Sequence, residues 1–133
     1  MSLRNKVILS ISYDTELLTL REAFLRTQGY EVHSVMSIEE TLLLASVKHF
    51  DAVIVGHSLP LEDKKKLVSA VRQLWPRLPV LSIVADPGVR ETIADASVVG
   101  SAGPDALMEA LQRLMLERPV RGTIVSGQGQ GYG

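Results

Sequence analysis

The feature that most constrains this chain is a repeated alternation between short apolar runs and stretches of helical periodicity. Val7-Ile8-Leu9-Ser10-Ile11, Asp51-Ala52-Val53-Ile54-Val55 and Pro79-Val80-Leu81-Ser82-Ile83-Val84 are nearly continuous apolar runs of strand length. Strands patterned in this way are buried on both faces, so helices must cover the sheet above and below. The intervening segments supply them. Asp14 offers an N-cap, Leu17, Leu20 and Phe24 recur at helical spacing, and Gly29 falls where a helix C′ glycine belongs. Glu31 to Val35 reads as a second strand. Ser37 and Glu40 make a capping box ahead of Ile38, Thr41, Leu42 and Ala45. Leu67, Ala70, Val71 and Leu74 mark a third helix that stops before Pro76. Asp86-Pro87 predicts a short fourth helix, Ser97-Val98-Val99 a brief fifth strand, and Gly103-Pro104 the start of a last helix carrying Leu107, Ala110, Leu111 and Leu114. Five such units predict an α/β fold, a doubly wound five-stranded parallel sheet in the order 2-1-3-4-5. The domain is expected to occupy residues 1–118. Residues 119–133, with glycines at 122, 127, 129, 131 and 133, are expected to form a disordered tail.

Composition excludes several classes of function. A formal net charge of -1 argues against binding nucleic acid through bulk charge. There are no cysteines, hence no disulfide, thiolate metal site or cysteine nucleophile. The N-terminus lacks the apolar run of a signal peptide, and no segment has the apolar length to span a bilayer. The expectation is a cytoplasmic protein with no nucleic-acid or membrane partner.

In a sheet of this order, ligands sit beyond the carboxyl ends of the strands, where strands 1 and 3 diverge. The residues placed there are Ser12, Tyr13 and Asp14 after strand 1, and Gly56, His57 and Ser58 after strand 3. Val84 closes strand 4 and Gly100 follows strand 5. Four stretches around this edge are distinctive: Gly29-Tyr30-Glu31-Val32, the run Phe50 to Pro60 (FDAVIVGHSLP), Leu67-Val68, and Trp75-Pro76-Arg77-Leu78-Pro79-Val80. In order and at this spacing they make the chain resemble the response-regulator receiver domain family (CheY-like), from about Lys6 to Leu116. The resemblance implies the receiver, flavodoxin-like fold. It also implies a phosphorylated aspartate at the end of strand 3, two magnesium-binding acids after strand 1, a hydroxyl closing strand 4, a lysine after strand 5 and an aromatic switch residue just before it. Those positions hold Gly56, Ser12 and Tyr13, Val84, Gly100 and Ser97. Val84 and Gly100 are 16 positions apart, which shortens helix 4 by about a turn and a half relative to the family layout. The resemblance therefore implies a degenerate pseudo-receiver. It would be a non-phosphorylatable protein–protein interaction module in bacterial two-component (phosphorelay) signalling, not an enzyme, with no cofactor and no metal.

The alternative is a small-ligand-binding domain that uses the pocket at the carboxyl ends of strands 1 and 3. A flavin-type phosphate loop there would need glycine and hydroxyls so that backbone N–H groups could wrap the phosphate. Ser12-Tyr13-Asp14-Thr15-Glu16 has no glycine and two acids. Asp14 is expected to cap its helix, with a residual ligand role as the sharper reading. His57 stands alone and is expected to be a loop residue. Lys64, Lys65 and Lys66 are read as a solvated helix start or as contacts for an acidic partner. No acid–base partner is expected beside Ser12, Ser58 or Ser82. Met108 and Met115, two turns apart on the last helix, are either a partner surface or part of a wide core stripe. The expected partner is a signalling protein or a second copy, met through helix 4, strand 5 and the last helix, with Ser97 on that face.

Overall fold

In a computed structural model that describes residues 5–89 and 91–123, with side chains through Leu116, the expected sheet forms. Its strands are β1 (Val7–Ile11), β2 (Glu31–Val35), β3 (Ala52–Val55), β4 (Val80–Val84) and β5 (Ala96–Val99), all parallel, in the order β2-β1-β3-β4-β5. The helices are α1 (Thr15–Thr27), α2 (Ile38–Val47), α3 (Leu61–Leu74) and α4 (Pro104–Thr123). Because β1, β3 and β4 are interior strands, both of their faces are covered, and every residue in them is buried. The alternation of side chains along each strand divides the core in two. Leu9, Ile11, Val53 and Val55 pack with Leu67 and Val71 of α3 on one face. Ile8, Ile54, Leu81 and Ile83 pack with Leu25 of α1 and with Leu107, Leu111 and Leu114 of α4 on the other.

Local chemistry sets the helix ends as the sequence indicates. Asp14 accepts the Leu17 N–H at 3.1 Å, and Ser37 accepts that of Glu40 at 3.0 Å. Gly29 takes φ 93°, and the bonds Tyr30 N–H to Leu25 O and Gly29 N–H to Arg26 O close α1 in a Schellman motif. At the other end of the sheet Asp51, buried, accepts the Val7 N–H at 2.8 Å and fixes the start of β3 against β1.

Two local expectations are corrected. Asp86-Pro87 opens a turn, closed by Val89 N–H to Asp86 O at 3.1 Å, and no helix forms between β4 and β5 among the described residues. Gly88 directly after the proline removes the helical bias that the cap-then-proline pair supplies. The core stripe of α1 is Leu18, Arg21 and Leu25, with Leu17 and Phe24 half-buried beside it and Leu20 exposed. The helix α4 is described to Thr123, and most of the segment expected as a tail, 124–133, lies outside the described residues.

Candidate functional site

The parallel register brings the ends of β1 and β3 side by side, with Ile11 opposite Val55. Ser12 and Gly56 therefore meet directly beyond the sheet, and the Gly56 N–H donates to Ile11 O at 2.9 Å. A Cβ on Gly56 would lie 3.2 Å from Ile11 O and 3.2 Å from both Cβ and Oγ of Ser12. A Cβ at the head of β3 would thus be tight against backbone and against a serine, and these neighbours would have to give by a few tenths of an ångström.

That serine is fully buried and committed. Its Oγ lies 3.0 Å from Ser58 Oγ, accepts the Asp14 N–H at 3.0 Å and sits 3.2 Å from Asp14 O. Ser58 Oγ also accepts the Tyr13 N–H at 2.8 Å. The two serines lace the β1–α1 loop to the β3–α3 loop across the carboxyl ends of strands 1 and 3. Nearby acids are engaged as well. Asp14 caps α1, and Asp63 accepts the Tyr13 hydroxyl proton at 2.8 Å. Burial, and then the Asp63 carboxylate, push the Tyr13 phenol above its ordinary pKa, so it stays a neutral donor.

The remaining expected positions line the same edge. Val84 is buried and carries no donor. A Cβ on Gly100 would stand 3.3 Å from Ile83 Cγ2, a tight contact with a side-chain methyl, and 3.7 Å from His57 Cδ2 and Val84 O. His57 is exposed beside it, and Ser97 is exposed on β5. Met108 and Met115 are half-buried and pack against the α1–α4 side of the core, away from the β1–β3 cleft.

Magnesium takes octahedral oxygen geometry and one or two carboxylates. The cleft supplies a committed serine hydroxyl, a glycine, and two aspartates that are already engaged, Asp14 capping a helix and Asp63 accepting from Tyr13. The donor set does not fit the ion. Among the described residues no three His, Asp or Glu side chains gather to hold any metal.

Lys64 and Ser82 depart from the sequence reading. Lys64 is 3% exposed and is not part of a solvated run; Lys65 and Lys66 beside it are exposed. Its Nζ donates to Ser82 Oγ at 2.9 Å, to Ile83 O at 3.0 Å and to Glu91 Oε2 at 2.9 Å. Ser82 donates to Glu91 Oε1 at 2.6 Å. Ser82 thus does have an acid beside it, but at 1% exposure the group is closed to substrate and serves as a strut. It ties the β4–β5 connection to α3 and β4 where a helix was expected.

The sequence matches no protein-family model and no curated protein. Solved structures match in fold. A CheY-like response regulator receiver domain protein from Methanospirillum hungatei superposes with TM-score 0.78 at 21% identity, over 89% of this chain and 99% of that one. The receiver domain of a Pseudomonas aeruginosa sensor histidine kinase, solved with magnesium coordinated in its active-site cleft, gives 0.74 at 23% identity, over 84% and 98%. A Thermotoga maritima response regulator, solved in complex with a histidine kinase, gives 0.72 at 24% identity, over 82% and 97%. The chain has the receiver fold.

Proposed function

We propose that this chain is a receiver-fold signalling module that accepts no phosphoryl group and acts, in the cytoplasm, by binding a protein partner. The observation that carries this reading is the closed head of β3. Gly56 offers no nucleophile, and its surroundings leave a Cβ only 3.2 Å from backbone and from Ser12. Phosphoryl transfer relies on positioning and on charge neutralisation by metal and cations. Ser12, Tyr13, Val84 and Gly100 supply neither. The fold likeness to response regulators, one of them solved with a histidine kinase, supports a protein partner. For the interface we favour the edge formed by β5 and α4. There Ser97 is exposed, Met108 and Met115 reach the surface in part, and no helix follows β4 among the described residues. The reading of the β1–β3 cleft as a small-ligand pocket is not favoured, because the Ser12–Ser58 link occupies it. Incubation with acetyl phosphate and Mg²⁺ should leave the intact mass of the protein unchanged. A stable gain of one phosphoryl group, mapped to the β1–β3 cleft, would overturn the proposal.

A further inference from the structure

Beside that cleft, and sharing His57 and Gly100 with its edge, a cavity of about 380 Å³ opens between α1 and the β5–α4 corner. Leu17, Leu20 and Phe24 line it from α1, with Val98 and Leu107 opposite. Phe24 also packs against the core, whereas Leu20 is exposed. One charged side chain lies in this apolar lining. Arg21 is 9% exposed, and its Nη1 donates to Ser10 Oγ at 3.0 Å, on the sheet side of the cavity.

A guanidinium carries five donors, and buried charges are ordinarily paired. Among the described residues Arg21 has one hydrogen bond and no carboxylate within ion-pair distance; Asp14 reaches it only as a longer-range charge. Burial lowers the guanidinium pKa, the expected sign for a cation that has lost water without gaining a full counter-charge. Keeping such a group inside an apolar wall costs stability. An arginine held there is suited to an anion arriving from outside, since its planar fork matches a carboxylate in bidentate fashion.

We propose that this cavity binds a small monocarboxylate with an apolar body, its carboxylate on Arg21 and its hydrocarbon part against Leu17, Phe24, Val98 and Leu107. The volume is at the small end of ligand pockets, which suits a short alkyl chain or a single aromatic ring. A single buried cation matches a singly charged head. A phosphate monoester, with about two charges and three acceptor oxygens, would be left with unmatched oxygens. His57, exposed at the rim, is the other polar side chain of the lining. The inference is independent of whether the protein takes up phosphate, because Gly56 and Ser12 do not line this cavity.

The test uses the full chain with octanoate as probe and 1-octanol as its uncharged counterpart, followed by methyl NMR. Octanoate should give saturable shifts of the Leu17, Val98 and Leu107 methyls, with 1-octanol at least about tenfold weaker, the size of one charge-assisted hydrogen bond. Arg21→Met should weaken octanoate by a similar factor. Val98→Phe, which keeps the arginine but fills the cavity, should abolish the shifts. Octanol binding as well as octanoate, or octanoate binding unchanged in Arg21→Met, would overturn the proposal, as would the absence of any saturable shift in the wild type. If either variant fails to fold, the octanoate-to-octanol ratio in the wild type still decides.

Discussion

Lys64→Ala should remove about 3–5 kcal/mol of folding stability, the range for breaking a buried ion pair from one side. The change strands the Glu91 carboxylate, whose side chain is 8% exposed, and takes a donor from both Ser82 Oγ and Ile83 O. Against a total of about 5–15 kcal/mol for a domain of this size, that is a large fraction. Urea denaturation should show a lower midpoint at unchanged slope. Amides of the β4–β5 connection should lose hydrogen-exchange protection before the sheet does, because Glu91 is one of that segment's anchors. The double variant Lys64→Met with Glu91→Leu should recover only part of the loss: the apolar pair needs no counter-charge, but the buried Ser82 hydroxyl and Ile83 O still lose their partners. A loss below about 1 kcal/mol for Lys64→Ala would place the pair in the solvated class and remove the strut from the account.

Gly56→Asp should destabilise the protein by about 1–3 kcal/mol, the usual cost of forcing atoms into a packed site, and should still not be phosphorylated. The new Cβ would press on Ile11 O and Ser12 at 3.2 Å, and a backbone oxygen in a parallel ladder has little freedom to give. The new carboxylate would stand near the Ser12 hydroxyl and Asp14 without a cation. An anionic nucleophile meeting an anionic phosphoryl group needs a metal or ammonium to neutralise charge. Gly100 offers no ammonium, and Val84 no hydrogen bond. The informative comparison is a variant carrying Ser12→Asp, Tyr13→Asp, Gly56→Asp, Val84→Thr and Gly100→Lys together, with acetyl phosphate labelling of both proteins read by intact mass. Ready labelling of the single variant in Mg²⁺ would show that Asp14 or Asp63 leaves its present partner to bind the metal.

Much of this was legible in the residues. Continuous apolar runs required a two-sided sheet, and Gly29, Asp14 and Ser37 marked helix ends where the caps form. That Ser12 and Gly56 meet beyond the ends of β1 and β3 was legible as well, because in a doubly wound sheet the strand ends fix what lies at that edge. What pattern reading missed were buried polar residues. Arg21 lies at helical spacing between Leu18 and Leu25, and Lys64 lies one turn before Leu67 and Val68, so each occupies a core stripe. Ser10 and Ser82 interrupt strands buried on both faces, and a buried hydroxyl requires a partner. Pairing those two facts would have pointed to Arg21 with Ser10 and Lys64 with Ser82. The absent fourth helix had a different cause. Asp86-Pro87 is a sound local start signal, but Gly88 follows at once and Glu91 is drawn to Lys64, so tertiary contacts overrode a local preference.

The most direct test of the central claim is amide NMR of the wild-type protein titrated with Mg²⁺ and then with beryllofluoride, which mimics a phosphoryl group on an aspartate. With Ser12 and Ser58 bonded to each other across the cleft and no carboxylate at the head of β3, the amides of Ser12, Tyr13, Gly56 and Ser58 should not shift beyond the effect of ionic strength. Saturable shifts at those four residues, spreading into β5 and α4, would contradict the account: the cleft would then hold a working metal and phosphoryl site.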